Sequence, residues 1–575
     1  MQPRLYSRIQ YLRGLWPWLP LWLALALLAI FAHGPMPNFS TRPLAVAWEM
    51  WHTHHWIVPW FNGAPYSEKA PLLYWLIHAG WFVFGVNDVW PRVLEVAFGA
   101  ANLVLAMTLA QRLFPERPWV AKATPWMLAA LVYAFLFSLQ IMYDVMLAVC
   151  VLAALLSLVP NARRMAPRWW WFGFWIGMGL LAKGPVMLLH TLWPWLLGPL
   201  WSTYARREKA SWYGYGLLAL AGGLAILLVW LLPAIHIGGD AYANNVLFRQ
   251  TGGRVVDSFA HAEPLWFYLA WLPVLLFPFS AWPRAWVAVA SLRSPFDPGL
   301  RLLLCWLLPV LAGFSLISGK QLYYPLPEFA GAVMLVAAAI AALRERNSRL
   351  ATTPWLGSGL LALGSFAFGG FLLALPELVG HPVFANHWMV DLAVYSRYFG
   401  VVYLLLGLFL LLRGRGEMRR IAVVGLVGSF AANALFSMTL WHNYDLRQAS
   451  ALMARAQAHG HAVASVGYPE GQFTFRARLS PSPVQLHSKR AILAFAARHP
   501  DGLVATYRKG EIGPSAADLR YALLVQPFRG NWLVLWKAST LGAIRSGHTP
   551  AEPSAPTRLL PSPDYWRYQH IPPSS

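Results

Sequence analysis

Charge is what this 575-residue chain has least of: Asp, Glu, Lys and Arg make up 12% of it, and only 23 residues are acidic. A soluble domain carries about 25% charged residues to solvate its surface, so a cytosolic globular enzyme is excluded. Cysteine is scarce as well. Cys150 and Cys305 both lie inside apolar runs, which offers neither a disulfide framework nor a Cys/His metal spacing. There is no HExxH, no Walker-type loop and no GxSxG, so the chemistries those motifs carry have no support. What is present is apolar: 58% hydrophobic residues, with 32 Trp, 31 Phe and 22 Tyr, and runs such as LWLALALLAIF and VVYLLLGLFLLL. Such a chain is neither disordered nor collagen-like, and its solvent is largely lipid.

The formal charge of +22 does not point to nucleic acid, because the basic residues stand in short groups between apolar runs and so report topology. Arg4, Arg8 and Arg13 precede an apolar stretch ending near Phe31. We read it as an uncleaved first span, with signal-peptide cleavage as the alternative. Further spans are expected near 93–110, 124–141, 143–160, 169–183, 185–200, 212–236, 264–284, 301–317, 322–343, 353–372, 397–412 and 421–440, thirteen with the first. The groups Arg112/Arg117/Lys122, Arg163/Arg164/Arg168, Arg206/Arg207/Lys209, Arg284/Arg293, Arg344/Arg346/Arg349 and Arg413/Arg415/Arg419/Arg420 then share one side with a cytoplasmic N-terminus. This requires Pro71–Gly85 to be an interfacial helix, since a fourteenth span there reverses every later loop.

The expected fold class is a mainly α, polytopic membrane protein with about thirteen transmembrane helices and a small C-terminal α/β domain on the outer face. Residues 1–440 form the membrane domain, with a first outer loop over 33–92, and 441–575 the outer domain. In that tail, strands are expected at 462–467, 503–507, 521–526 and 532–536, and helices at 446–458 and 487–498. The segment 548–563 is rich in Pro and Ser.

This topology delivers polar residues to the outer side, where nucleotides are scarce and an activated donor has to be carried by the membrane. A helix over 43–52 places Arg42 near Glu49, and Glu68-Lys69 stands just ahead of the interfacial helix. Lys69 suits a phosphate at headgroup depth or a snorkelling anchor. Asp144, alone between two apolar runs, needs an ion partner or water, or else caps a helix. Lys183 and Lys320 sit at outer turns, with Tyr323, Tyr324 and Pro327 behind the latter, and Arg254 and His261 lie in the loop 237–263. Cations there are suited to hold a lipid phosphate and stabilise charge growing on a leaving group.

In order along the chain, Thr41-Arg42, Trp48-Glu49-Met50-Trp51, Trp56-Ile57-Val58-Pro59, Asn62-Gly63, Tyr66, Glu68-Lys69, Pro71-Leu72, Phe84-Gly85, Arg92, Asp144, Leu181-Ala182-Lys183-Gly184-Pro185, Phe248-Arg249-Gln250, Arg254, His261, Pro264, Gly319-Lys320, Tyr324 and Pro327 carry a resemblance. The set resembles the lipid-linked-sugar glycosyltransferases of GT-C type that group the bacterial aminoarabinose transferase of lipid A with the protein O-mannosyltransferases. The likeness covers most of residues 1–340. It implies an inverting transferase in a bacterial inner membrane, with a cytoplasmic N-terminus and a periplasmic C-terminal domain. It also implies an undecaprenyl phosphate-linked sugar as donor and a lipid A-like or other envelope glycolipid, or else a protein, as acceptor. Arg42, Lys69, Lys183, Arg254, His261, Lys320 and Tyr324 are the expected donor-binding residues. No metal is required, although one held by Asp144 is compatible with the same residues; no nucleic acid is involved, and a monomer is sufficient. In that family an acid, usually Asp-Glu, stands directly before Thr-Arg; here Phe39 and Ser40 do, and Pro43 replaces a usual Tyr. Either another acid serves, Asp144 first with Glu49 or Glu68 behind it, or an anionic acceptor needs no base. The remaining alternative is a lipid-phosphate binding or carrier protein that does not transfer sugar.

Overall fold

The computed structural model describes residues 15–160, 164–249, 262–346, 349–381, 383–384, 387–412, 416–467, 470–509 and 517–550. Arg4, Arg8, Arg13, Arg163, Arg413, Arg415 and most of 548–563 lie outside these residues.

An apolar run in lipid has to satisfy its backbone internally, which a helix does. Helices accordingly occupy the apolar runs: α1 (Trp18–Ala32), α2 (Thr41–Thr53), α3 (Leu72–Phe84), α4 (Val89–Leu113), α5 (Pro118–Ala130), α6 (Tyr143–Leu158), α7 (Trp169–Lys183), α8 (Val186–Leu196), α9 (Lys209–Asn244), α10 (Phe267–Leu275), α11 (Pro298–Leu316), α12 (Glu328–Glu345), α13 (Gly359–Leu378), α14 (His387–Leu411) and α15 (Glu417–Thr439). Among the described residues six of them, α4, α9, α11, α13, α14 and α15, are long and apolar enough to cross a membrane unaided. The chain is thus a multi-pass membrane protein. The helix α3 has 13 residues, about 20 Å at 1.5 Å per residue against a hydrocarbon core of about 30 Å.

Expected boundaries shift at several places. The run 264–284 gives only the nine-residue α10, which breaks after Leu275 ahead of Pro278, and a separate helix over Pro283–Ala290. The helix α14 starts at His387 rather than near 397. The run 124–141 breaks at Leu131, where the backbone turns extended and the Val132 N–H donates to the Phe277 carbonyl at 3.2 Å. The run 322–343 starts its helix only at Glu328, because Pro325 and Pro327 fill the preceding turns. The run 212–236 extends to Asn244, with a break at Gly239, whose φ of 75° leaves the helical region.

The chain forms two compact units. The first comprises residues 1–31, 67–370 and 401–433. Within it α7 and α9 approach closely through small residues: a Cβ on Gly173 would lie 2.5 Å from the Ala219 carbonyl oxygen, and one on Gly177 2.7 Å from Ile226. Gly173→Val is expected to destabilise the fold by about 1–3 kcal/mol through overpacking, measured by thermal unfolding in detergent. Four of the six loops that the charge pattern puts on one side meet elsewhere in this unit. Arg117 bridges Asp297 (2.7 Å) and Glu345 (2.8 Å), Arg346 donates to the Ser291 carbonyl (2.9 Å), and Arg284 joins Glu417 and the Thr353 carbonyl.

The second unit comprises residues 32–66, 371–400 and 434–575. It holds α2, the hairpin β1 (Trp60–Phe61) and β2 (Ala64–Pro65), and a mixed sheet of β3 (Val463–Val466), β4 (Val484–Leu486), β5 (Leu503–Lys509), β6 (Leu524–Phe528) and β7 (Asn531–Lys537). The sheet order is β4-β3-β5-β7-β6, parallel from β4 to β5 and antiparallel thereafter. Helices α16 (Arg447–Ala458), α17 (Lys489–Arg498) and α18 (Ala538–Ser546) complete it, with Met453 and Phe473 in one buried cluster and Phe495, Val534 and Trp536 in another. The short strand β4 and the helix α18 have no counterpart in the sequence expectation; β4 is only three residues long and follows Pro481 and Pro483.

Candidate active site

The helices α6 and α7 are consecutive and antiparallel, tied at one end by the Arg168 N–H on the Ser157 carbonyl at 2.8 Å. Asp144 stands fourteen residues before the end of α6 and Lys183 fourteen after the start of α7, so the two reach the same height at the other end. There the Lys183 ammonium pairs with the Asp144 carboxylate, and the two side chains keep 10% and 2% of their exposure. Both helix dipoles favour this arrangement, an acid in the first turn of one and a base in the last turn of the other. A buried pair of this kind balances a desolvation cost of several kcal/mol per ion. Gly184, with φ 74°, then lets the chain turn at once into α8.

Aromatic rings surround the pair. The Lys183 ammonium lies 4.5 Å from the Tyr324 ring centroid and 5.5 Å from that of Tyr323. Lys69 stands 5.6 Å from the Tyr143 ring, and the Tyr143 hydroxyl meets that of Tyr74 at 2.6 Å. The loop carrying Lys320 and Tyr324 is held in place by a bridge of Gly319 with Ala262 and by the Glu263 N–H on the Ser318 carbonyl at 3.2 Å. Two side-chain bonds add to this, Lys320 to the Glu263 carbonyl (2.7 Å) and Tyr268 to the Gln321 carbonyl (3.0 Å). Thus Lys69, Asp144, Lys183, Tyr324 and the Lys320 loop come together at one end of the helical unit, about 18 Å along α6 from Leu156 and the basic layer. Glu68, half-buried, precedes Lys69. Arg254 and His261 lie outside the described residues.

Arg42 and Glu49 belong to the second unit. Arg42 pairs with Glu470 at 3.2 Å, and the Trp48 indole N–H donates to the Leu479 carbonyl at 3.0 Å. The Glu49 carboxylate accepts the backbone N–H groups of Asn62 (2.7 Å) and Gly63 (3.0 Å) and the Ser482 hydroxyl. Asn62 and Gly63, with φ of 54° and 75°, form the left-handed turn that the β1–β2 hairpin requires. Glu49 therefore already has three donors and clamps the first loop to the tail. Glu49→Leu is expected to destabilise this unit by about 1–2 kcal/mol, since the orphaned turn amides are partly exposed; proteolysis of the tail measures it. Where the family resemblance expects an acid, Ser40 is buried and Phe39 exposed.

Sequence reasoning passed over Tyr143 and Tyr74, and also Glu95, a fully buried acid in α4. A lone acid in an apolar run was the available signal. Among the described residues no group of three or more His, Cys, Asp and Glu is arranged to hold a metal ion.

The described residues thus form a helical membrane unit with a buried acid–lysine pair and further lysines gathered at one end. The profile described as dolichyl-phosphate-mannose-protein mannosyltransferase matches residues 68–232, which include Lys69, Asp144 and Lys183. The undecaprenyl phosphate-alpha-4-amino-4-deoxy-L-arabinose arabinosyl transferase of Edwardsiella ictaluri is 26% identical over 503 residues, 84% of this chain and 88% of that one. The enzyme of the same name from Pseudomonas aeruginosa is 32% identical over 340 residues, which span 58% of this chain and 60% of its own length. The crystal structure of ArnT from Cupriavidus metallidurans bound to undecaprenyl phosphate shares the fold, with a TM-score of 0.67 at 19% identity over 93% of this chain and 98% of that one. The chain is thus similar to these lipid-linked-sugar transferases over most of its length and shares the ArnT fold.

Proposed function

We propose that this protein transfers a sugar from an undecaprenyl phosphate donor to a lipid A-like or other envelope glycolipid at the outer face of a bacterial inner membrane. The observation that carries the reading is the gathering of Asp144, Lys183, Lys69 and the Lys320 loop at one end of an ArnT-like helical unit. The arabinosyl transferases it resembles are named for such a donor. In this reading thirteen spans place the N-terminus in the cytoplasm and both the site and the domain 441–575 outside, with 1–440 as the membrane domain.

The acceptor oxygen attacks the anomeric carbon on the face opposite the donor phosphate. The bond from that carbon to the phosphate oxygen breaks, polyprenyl phosphate leaves with the bonding electrons, and the configuration inverts. Lys69, Arg254 and Lys320 hold the phosphate and stabilise its growing charge, with Lys183 and Tyr324 behind them and His261 steadying phosphate or acceptor. Asp144 orients the acceptor and takes its proton. Glu68 flanks Lys69 as a second acid, while Arg42 and Glu49 shape the first loop. An acceptor that is itself an anion relies least on the base, which fits the replacement of the family's first-loop acid by Phe39 and Ser40.

The test is transfer of radiolabelled sugar from the undecaprenyl phosphate donor in proteoliposomes. Label is expected in a lipid acceptor. Label in protein would favour the protein-acceptor alternative, and donor binding without transfer would identify a carrier. Arg254→Ala is expected to reduce transfer by about 100-fold or more; near-normal turnover would remove its role.

A further inference from the structure

Asp144 sits on the first turn of α6, so whatever fixes that turn fixes the acid. One face of α4 does so. Glu95, Gly99 and Asn102 follow one another at helical spacing and lie along the segment from Ser138 to Val145. The Glu95 carboxylate accepts the Met142 N–H at 3.1 Å, a donor that α6 itself leaves without a helical partner. Gly99 permits the approach, since a Cβ there would lie 2.5 Å from the Trp22 ring and 3.1 Å from Ser138. Asn102 donates to the Val145 carbonyl at 2.9 Å. Two polar bonds from one helix thus bracket Tyr143 and Asp144 from both sides.

Glu95 is 0% exposed, and its second oxygen has no hydrogen-bond partner among the described residues. A carboxyl buried so deeply with only one bond is costly in lipid, which a purely space-filling role does not account for. We propose that Glu95 is a positioning residue for the transfer reaction: through Met142 it sets the depth and direction from which Asp144 meets the acceptor. The proposal rests on the reading of Asp144 given above. Glu95 itself touches neither donor nor acceptor in this scheme.

The test compares full-length wild type, Asp144→Asn, Glu95→Ala, Glu95→Gln and Asn102→Leu in the proteoliposome assay, with rates expressed per folded molecule. Glu95→Ala removes the acceptor for the Met142 N–H and is expected to lower kcat by about tenfold or more, with the donor KM within about threefold. Glu95→Gln keeps an acceptor oxygen there and is expected to stay within about threefold of wild type. A merely structural role would lower folded yield and leave kcat per folded molecule unchanged, which overturns the proposal, as does an equal loss in Gln and Ala variants. If Glu95→Ala gives no folded protein, Asn102→Leu decides: kcat down by about threefold or more with KM unchanged supports the ladder, and a wild-type rate overturns it. Absence of transfer in wild type would overturn the transferase reading as well. Transfer that depends on Asp144 but not on Glu95 would overturn this inference alone.

Discussion

Asp144→Asn is expected to slow sugar transfer by about 10²–10⁴-fold, the usual contribution of a positioned proton acceptor. The substitution keeps the shape of a side chain that is 2% exposed and removes only its charge and basicity. In the proposed reading Lys69, Arg254 and Lys320 hold the donor phosphate, so donor KM is expected to hold or to fall. The fall has a physical cause: Lys183, released from its carboxylate, becomes a stronger partner for phosphate. Steady-state rates with separate variation of donor and acceptor measure both effects. A kcat within about threefold of wild type would assign Asp144 to structure and favour an acceptor that enters as an anion.

Lys183→Met is the second large effect, and it concerns stability. It leaves the Asp144 carboxylate buried with no cation against it, and breaking one side of a buried pair costs about 3–5 kcal/mol. The double variant Asp144→Asn/Lys183→Met removes the stranded charge and is expected to recover most of that loss. Thermal or denaturant unfolding in detergent of the wild type, both single variants and the double variant closes the cycle. A double variant destabilised by the sum of the two single variants would mean that the pair is not coupled in the folded protein.

Much of the helical body was legible because lipid forces apolar runs into helices, and because Arg and Lys groups mark the ends that meet around Arg117. The breaks at Leu131 and before Glu328 were not, since they depend on a carbonyl supplied from Phe277 and on prolines inside an apolar run. Asp144 and Lys183 each stood out as isolated charges at outer turns. Their partnership was also present in the sequence, in the equal distances of both from the loop between α6 and α7. Glu49 illustrates the opposite case: its donors come from a turn thirteen residues on and from Ser482 in the tail, and no periodicity announces such a contact. Glu95 and the buried His190–Glu328 pair (2.8 Å) were passed over, although the logic applied to Asp144 covers any lone polar group in an apolar helix.

The most direct test of the account places a cysteine at Glu263, an exposed side chain whose backbone carbonyl receives Lys320. Cys150 and Cys305 are both buried and free, so they contribute little labelling. In spheroplasts, a membrane-impermeant maleimide is expected to label Glu263→Cys without permeabilisation, and added undecaprenyl phosphate is expected to slow that labelling. Labelling that appears only after the membrane is opened, at a rate indifferent to the lipid phosphate, would contradict an outward-facing donor site.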